Sequence, residues 1–210
     1  VGANGALGIA LTRALLAERK RSVMAFLREP ERLRGFLGDA QPFYLPGDAR
    51  DLGALKQAAQ GCTTLYYCAR RSVGRQHWER DTLLMAQNAI EAARYAQARL
   101  VVVGSLAVFG QAPNGPLSEE GEKSPITRRG KIEALIENEL AAAFARGDLR
   151  YTLLRLPELY GPNVKHGVAA FAVRPLILGH AMAFPETPAH PHEWLHVCDE
   201  IGRASCRERV

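Results

Sequence analysis

Val1-Gly2-Ala3-Asn4-Gly5-Ala6-Leu7-Gly8 opens the chain, and the residues that follow place Leu7, Leu11, Ala14 and Leu15 on one helical stripe. The order is therefore a glycine turn followed directly by an amphipathic helix. Gly2, Gly5 and Gly8 form G-x-x-G-x-x-G. Missing side chains at such a turn let backbone amides at the positive end of a helix approach a pyrophosphate. The same glycines also suit a tightly packed turn, so the surrounding pattern decides between the two.

Working outward, strand-length apolar runs alternate with longer stretches of helical period. Residues 23–27 read as a strand, 43–45 as a short strand before Gly47-Asp48, 52–59 as a helix and 64–69 (TLYYCA) as a buried strand. A helix over 77–97 leads into Leu100-Val101-Val102-Val103, whose unbroken apolar character suits a central parallel strand ended by Gly104-Ser105. Residues 111–125 are a Pro- and Gly-bearing loop, 128–146 a helix and 151–154 a strand. Gly161-Pro162-Asn163 reads as a turn, 168–178 as helical and 194–197 as extended. The alternation predicts an α/β fold with a doubly wound parallel sheet.

The 210 residues are 47% hydrophobic, enough for a sizeable core. We divide them into a dinucleotide-binding domain over 1–163, part of a substrate-binding region over 164–200, and a tail over 201–210 (IGRASCRERV) that reads as non-native and adapter-derived. A glycine loop at the very start reads as a sheet whose first strand is cut short. Arg203, Arg207 and Arg209 against Glu208 put part of the net charge of +5 in that tail, so no nucleic-acid partner is implied. No apolar run approaches the roughly 18 residues that span a bilayer, so no membrane is expected either. Cys62, Cys68, Cys198 and Cys206 form no CxxC pair, and two of them fall in buried-strand sequence, which suits reduced thiols and a cytoplasmic location.

About 20 residues beyond the last glycine, dinucleotide folds place the group that reads the ribose. That position is Arg28, whose guanidinium can pair with a 2′-phosphate. NADP is thus the expected cofactor, with NAD as the alternative; a solvated arginine beside Glu29 is the plainer reading.

Taken in order, VGANGALG (1–8), GDARD (47–51), YYCA (66–69), GSLAVFG (104–110), LRLPELYGP (154–162) and LHVCDE (195–200) resemble the extended short-chain dehydrogenase/reductases, the group of nucleotide-sugar epimerases and dehydratases. The resemblance implies a Rossmann-type sheet with a C-terminal substrate lobe. By the same resemblance Asp48 and Ala49 touch the adenine, Ala69 lines the ribose side, and Leu156-Pro157 lie near the nicotinamide. Ser105 stands where these enzymes keep the serine that polarises the substrate oxygen, and Lys131 where the lysine of Y-x-x-x-K holds the cofactor. The tyrosine position, four before Lys131, is Thr127, whose hydroxyl is too weakly acidic to replace a phenol as proton acceptor. The turn residue Tyr160 is a poor substitute, and the helix near Thr82 lacks the asparagine common in catalytic members.

Other residues admit two readings. His190, His192 and His196 have a spacing that could recruit zinc, but Pro191 makes the stretch an extended loop and no metal is expected. Arg70, Arg71 and Arg75, with Arg128 and Arg129, either draw anions to the site mouth or lie solvated at the surface. There is no G-x-S-x-G elbow and no P-loop lysine. The function implied is an NAD(P)-binding, epimerase/dehydratase-like oxidoreductase acting on a carbonyl or hydroxyl of a small molecule. The alternative is a catalytically silent NAD(P)-binding sensor or interaction protein. The helices over 77–97 and 128–146, with Ala141-Ala142-Ala143, could pair across a homodimer or simply pack in the core.

Overall fold

The structure, a computed structural model, describes residues 1–19, 21–71, 73–74, 76–110, 117–165, 167, 175, 177–180 and 193–199. The tail over 201–210, most of 164–200, including most of the expected helix over 168–178, and Arg75, His190 and His192 lie outside the described residues.

The glycine turn runs into α1 (Ala6–Ala17). Then follow β1 (Met24–Leu27), α2 (Pro30–Leu37), β2 (Phe43–Pro46), α3 (Leu52–Ala59), β3 (Thr64–Tyr67), α4 (Trp78–Ala96) and β4 (Arg99–Ser105). After a 3₁₀ turn over Leu106–Phe109 come α5 (Arg128–Ala145), β5 (Tyr151–Leu156), β6 (Glu158–Tyr160) and β7 (Trp194–His196). Among the described residues every strand pairing is parallel: β1 with β2, β3 with β4 and β4 with β5, and β6 with β7. Their carboxyl ends therefore share one edge, where parallel sheets bind ligands.

Two apolar layers hold the sheet. On one face Leu55, Ala58 and Ala59 of α3, Met85, Ala89 and Ile90 of α4, and Ile136 and Leu140 of α5 pack with Leu65, Tyr67, Leu100 and Val102. Elsewhere Ile9 of α1 and Leu33 and Leu37 of α2 pack with Ala25 and Leu27. Alternate residues of each strand point to opposite faces, so this split is the doubly wound arrangement read from the alternation.

Val1 fills a place between β1 and β3: its nitrogen donates to the Tyr66 carbonyl (2.8 Å) and its carbonyl accepts from the Cys68 amide (3.0 Å). That is a parallel bridge centred on Tyr67. Beyond it, between β1 and β3 and beneath α1, lies a cavity of about 470 Å³ lined by Leu11, Leu15, Ala25, Leu65 and Tyr66 among others.

Three elements were not read from the sequence. The helix α2 is one, eight residues long with Pro30 in its first turn and Leu33 and Leu37 buried one turn apart. The others are the 3₁₀ turn after β4 and the short strand β6, which runs up to the turn read at Gly161-Pro162-Asn163. β4 and β5 also run two residues further than expected, through Ser105 and Leu156, because these two still pair with each other.

Candidate functional site

The glycine turn places a helix start at the middle of the sheet's carboxyl edge. Gly2 has φ +84°, and a Cβ there would lie 2.6 Å from the Ala69 nitrogen; a Cβ on Gly8 would lie 2.3 Å from the Gly2 carbonyl oxygen. Neither position has room for a side chain, so the loop lies flat against the end of β3. Gly5 is the N-cap of α1 and its amide donates to the Gly2 carbonyl (3.1 Å). Among the described residues no side chain caps α1, as at α2 and α4, whereas Asp51 accepts from the Ala54 amide at the start of α3 (3.0 Å) and Thr127 from the Gly130 amide at the start of α5 (3.0 Å). What sets α1 apart is that its first turn, Gly5 to Gly8, lines a cavity at the sheet edge.

Two cavities meet at this turn and share Asn4, Gly5, Arg32, Cys68 and Arg70. One, of about 390 Å³, runs over the ends of β1 and β2 past Arg28, Asp48, Ala49, Arg50, Ala69 and Arg71. The other, of about 380 Å³, runs past Gly104, Arg129, Glu133, Leu156, Pro157, Glu158 and Lys165. Together they form a groove along the sheet edge with the open end of α1 near its centre.

In the first cavity Asp48 accepts from the Arg50 amide (2.9 Å) and from its guanidinium (2.7 and 3.1 Å). The side-chain hydrogen bond from Arg50 is the main reason its pKa falls to about 2. Ala49 is buried, and its carbonyl accepts from the Asn88 side chain of α4 (3.0 Å). The amide of Asn88 thereby fixes the wall beside Asp48. Arg28 is exposed at the end of β1.

In the second cavity Arg70 and Glu133 form a two-pronged ion pair, Nε to Oε1 at 3.0 Å and Nη2 to Oε2 at 3.1 Å. Arg70 also donates to the Ala69 carbonyl (2.9 Å) and the Val103 carbonyl, and its guanidinium lies 5.1 Å from the centre of the Tyr67 ring. Burial is the largest single influence and works against its charge, but the Glu133 carboxylate together with Tyr67 and Cys68 outweighs it, and its pKa stands above the ordinary value. Burial also pushes the Tyr67 phenol up to about 12. Deeper along α5, Glu137 accepts from Arg155 (2.8 and 2.9 Å) and pairs with Lys123 (2.7 Å). Burial opposes its charge, but hydrogen bonds from Arg155 and Lys123 bring its pKa below the usual carboxylate value.

The structure gathers Gly2, Gly5, Gly8, Arg28, Asp48, Ala49, Ala69, Leu156 and Pro157 around the groove. Ser105, Thr127 and Lys131 line neither cavity. Ser105 is buried and its hydroxyl accepts from the Ala107 amide (3.3 Å), opening the 3₁₀ turn. Thr127 spends its hydroxyl on the cap of α5, and Lys131 is exposed. The reason is helical phase: with the helix starting at Arg128, the inward face carries Gly130, Glu133, Ile136, Glu137 and Leu140, and residue 131 is turned about 100° from residue 130. Gly130 fixes that phase, since a Cβ there would lie 2.2 Å from the Ala107 carbonyl oxygen.

The groove residues that sequence reading passed over are Asn4, Arg32, Arg50, Glu133, Glu158 and Lys165. A signal was present for one of them, because Gly130, Glu133 and Glu137 recur at the spacing of a buried helical face. His196 lies against Tyr160, ring centres 5.2 Å apart, and its Nδ1 accepts from the Cys198 amide (3.4 Å). Among the described residues no three His, Cys, Asp or Glu side chains come together as a metal site, and no helix is long and apolar enough to cross a membrane.

A family model described as NAD(P)H-binding matches residues 2–174. No curated protein sequence matches the chain. Among solved structures, MoeE5 in complex with UDP-glucose and NAD is 26% identical, with a TM-score of 0.80 over 99% of this chain and 71% of that one. The dTDP-glucose 4,6-dehydratase DesIV from Streptomyces venezuelae, solved with NAD and TYD bound, is 21% identical, with a TM-score of 0.83 over 95% of this chain and 68% of its own. The UDP-glucose 4-epimerase of Thermus thermophilus, in complex with NAD, is 20% identical, with a TM-score of 0.82 over 100% of this chain and 73% of its own. These likenesses establish the Rossmann-like α/β fold.

Proposed function

The chain belongs to the NAD(P)H-binding family, and from that membership we propose that it is an epimerase/dehydratase-like oxidoreductase acting on a carbonyl or hydroxyl of a small molecule, with NADP preferred over NAD. The single observation that carries the reading is the uncapped start of α1, held by Gly2 and Gly8 at the centre of a continuous groove. A pyrophosphate there meets first-turn amides and the positive helix end.

The adenosine then lies over Ala49 and Ala69, and Arg28, assisted by Arg32, reads the 2′-phosphate. Both are cations lining that cavity, while Arg50 is committed to Asp48. The nicotinamide lies along Leu156 and Pro157, where, when bound, it supplies the hydride acceptor or donor. Residues 1–163 bind the dinucleotide and 164–200 contribute to the substrate side. Ser105 and Lys131 act on this reading by shaping the strand end and the α5 surface, with Thr127 setting where α5 begins. A cytoplasmic homodimer pairing through α4 and α5 is consistent with Leu84, Leu135 and Phe144, which these helices leave exposed.

The test is to titrate the purified protein with NADPH and NADH, then follow nicotinamide absorbance with a panel of aldehydes, ketones and nucleotide sugars. Binding of NADPH about tenfold tighter than NADH, with turnover of at least one carbonyl, is expected. Binding without turnover across the panel supports the silent binding protein instead, and failure to bind either dinucleotide ends both readings.

A further inference from the structure

The inward face of α5 carries a charged pair, four residues apart and both lining the second cavity: Glu133, which the sequence reading passed over, and Arg129, for which it left open an anion-drawing site mouth or a solvated surface. Their situations differ. Glu133 has a side-chain exposure of 5% and is locked to Arg70. Arg129 is 48% exposed and its nearest carboxylate, Glu158, is 3.7 Å away, an ion-pair separation without a hydrogen bond.

The neighbouring arginines are saturated. Arg70 holds Glu133, Arg155 holds Glu137, and Arg128, next in sequence, grips Glu79 through two hydrogen bonds (2.7 and 2.8 Å). Among the described residues Arg129 makes no hydrogen bond, and Lys165 on the same cavity makes neither a hydrogen bond nor an ion pair. Charged residues lining the cavity are Arg32, Arg70, Arg129 and Lys165 against Glu133 and Glu158, so it keeps an excess of positive charge. Once Arg70 and Glu133 cancel, that excess sits on the rim.

We propose that Arg129, with Lys165 on the same cavity, is a substrate-reading residue that binds an anionic oxygen group, a carboxylate or a phosphate, of the small molecule entering there. A guanidinium with uncommitted N–H groups presents a planar fork to two oxygens of such a group. Glu158 acts as its stand-in partner, close enough to orient the side chain and far enough to be displaced. The fixed Arg70–Glu133 pair contributes no net charge and serves as the floor. The inference rests on the dinucleotide occupying the remainder of the groove.

The experiment uses the full chain saturated with NADPH, so that the α1 start is already filled, and measures thermal stability against inorganic phosphate, acetate and neutral acetamide at matched ionic strength. Phosphate, acetate or both are expected to raise the melting temperature above the acetamide control; phosphate alone identifies a phosphorylated substrate, acetate alone a carboxylated one. Arg129→Gln is expected to weaken the responding anion roughly tenfold, Arg129→Lys to keep part of the response, and Arg128→Gln to leave it unchanged. NADPH affinity of each variant, read by fluorescence, shows that it is folded. The proposal is overturned if neither anion stabilises the NADPH-bound wild type, or if Arg129→Gln responds as wild type does. Failure of NADPH itself to bind is a separate result that strikes the cofactor reading. Should Arg129→Gln not fold, Lys165→Gln with the Arg129→Lys response decides, and wild-type responses from both overturn the proposal.

Discussion

The two ends of the groove are built on different principles. At the glycine turn the groove-lining groups are backbone, and the residues that matter are those with nothing beyond Cα. At α5 the cavity-facing groups are long charged side chains whose direction depends on helical phase. A backbone site tolerates almost no change at its glycines and little drift in sequence. A side-chain site can be rewritten in a few residues while the helix stays where it is, as Arg129 and Glu133 illustrate.

The largest effect expected from this contrast is at the turn. Gly8→Val forces side-chain atoms onto the Gly2 carbonyl, 2.3 Å from where a Cβ would sit. Dinucleotide affinity should fall at least about 100-fold, or about 2.7 kcal/mol, by fluorescence titration. Retained affinity would break the backbone half of the comparison.

Next comes the α5 floor. Glu133→Gln leaves Arg70 without its carboxylate; breaking a buried pair costs about 3–5 kcal/mol, reduced here to about 2–3 by the partial exposure of Arg70. The melting temperature should drop by about 5–10 °C. Lys131→Gln, on the exposed side of the same helix, should change stability by no more than about 0.5 kcal/mol. Equal losses would mean that α5 is turned differently.

Arg28→Ala should weaken NADPH about tenfold while moving NADH little, read by the same titration with both cofactors. Smaller again, Thr127→Tyr should cost about 1 kcal/mol through the lost cap and bring no gain in turnover, because position 127 does not line the cavity. The weakest effect is acidic. With its pKa lowered to about 2, Asp48 contributes stability that is complete above its unfolded value near 3.8 and disappears as the pH falls toward 2. Asp48→Asn should therefore be less stable at neutral pH and flatter than wild type between pH 4 and 2 in acid unfolding.

Much of the fold was legible because it is written in periodicity. Leu100-Val101-Val102-Val103 suits a covered central strand, which it is, and α3 starts where Asp51 caps it and ends where its apolar face does. That the glycine turn and the strand-end residues would gather at one edge was legible for a related reason: a glycine lacking room, or a residue at a strand end, has its place fixed by the backbone. The α5 side was not. A lysine at the expected spacing drew attention to residues 127 and 131, but the phase of α5 is set by Thr127 as cap and by Gly130 packed against Ala107, contacts between segments far apart in sequence. Arg70 and Glu133 are likewise 63 residues apart, and nothing local in either stretch announces the pair.

The central claim is that a dinucleotide pyrophosphate rests on the uncapped amides of α1, and hydrogen exchange tests it most directly. On adding NADPH, the amides of residues 3–8 should exchange at least about tenfold more slowly, with weaker protection at residues 69–71, while those of α5 on its Lys131 side stay as they were. Unchanged exchange over residues 3–8 in a protein that demonstrably binds NADPH would contradict the account.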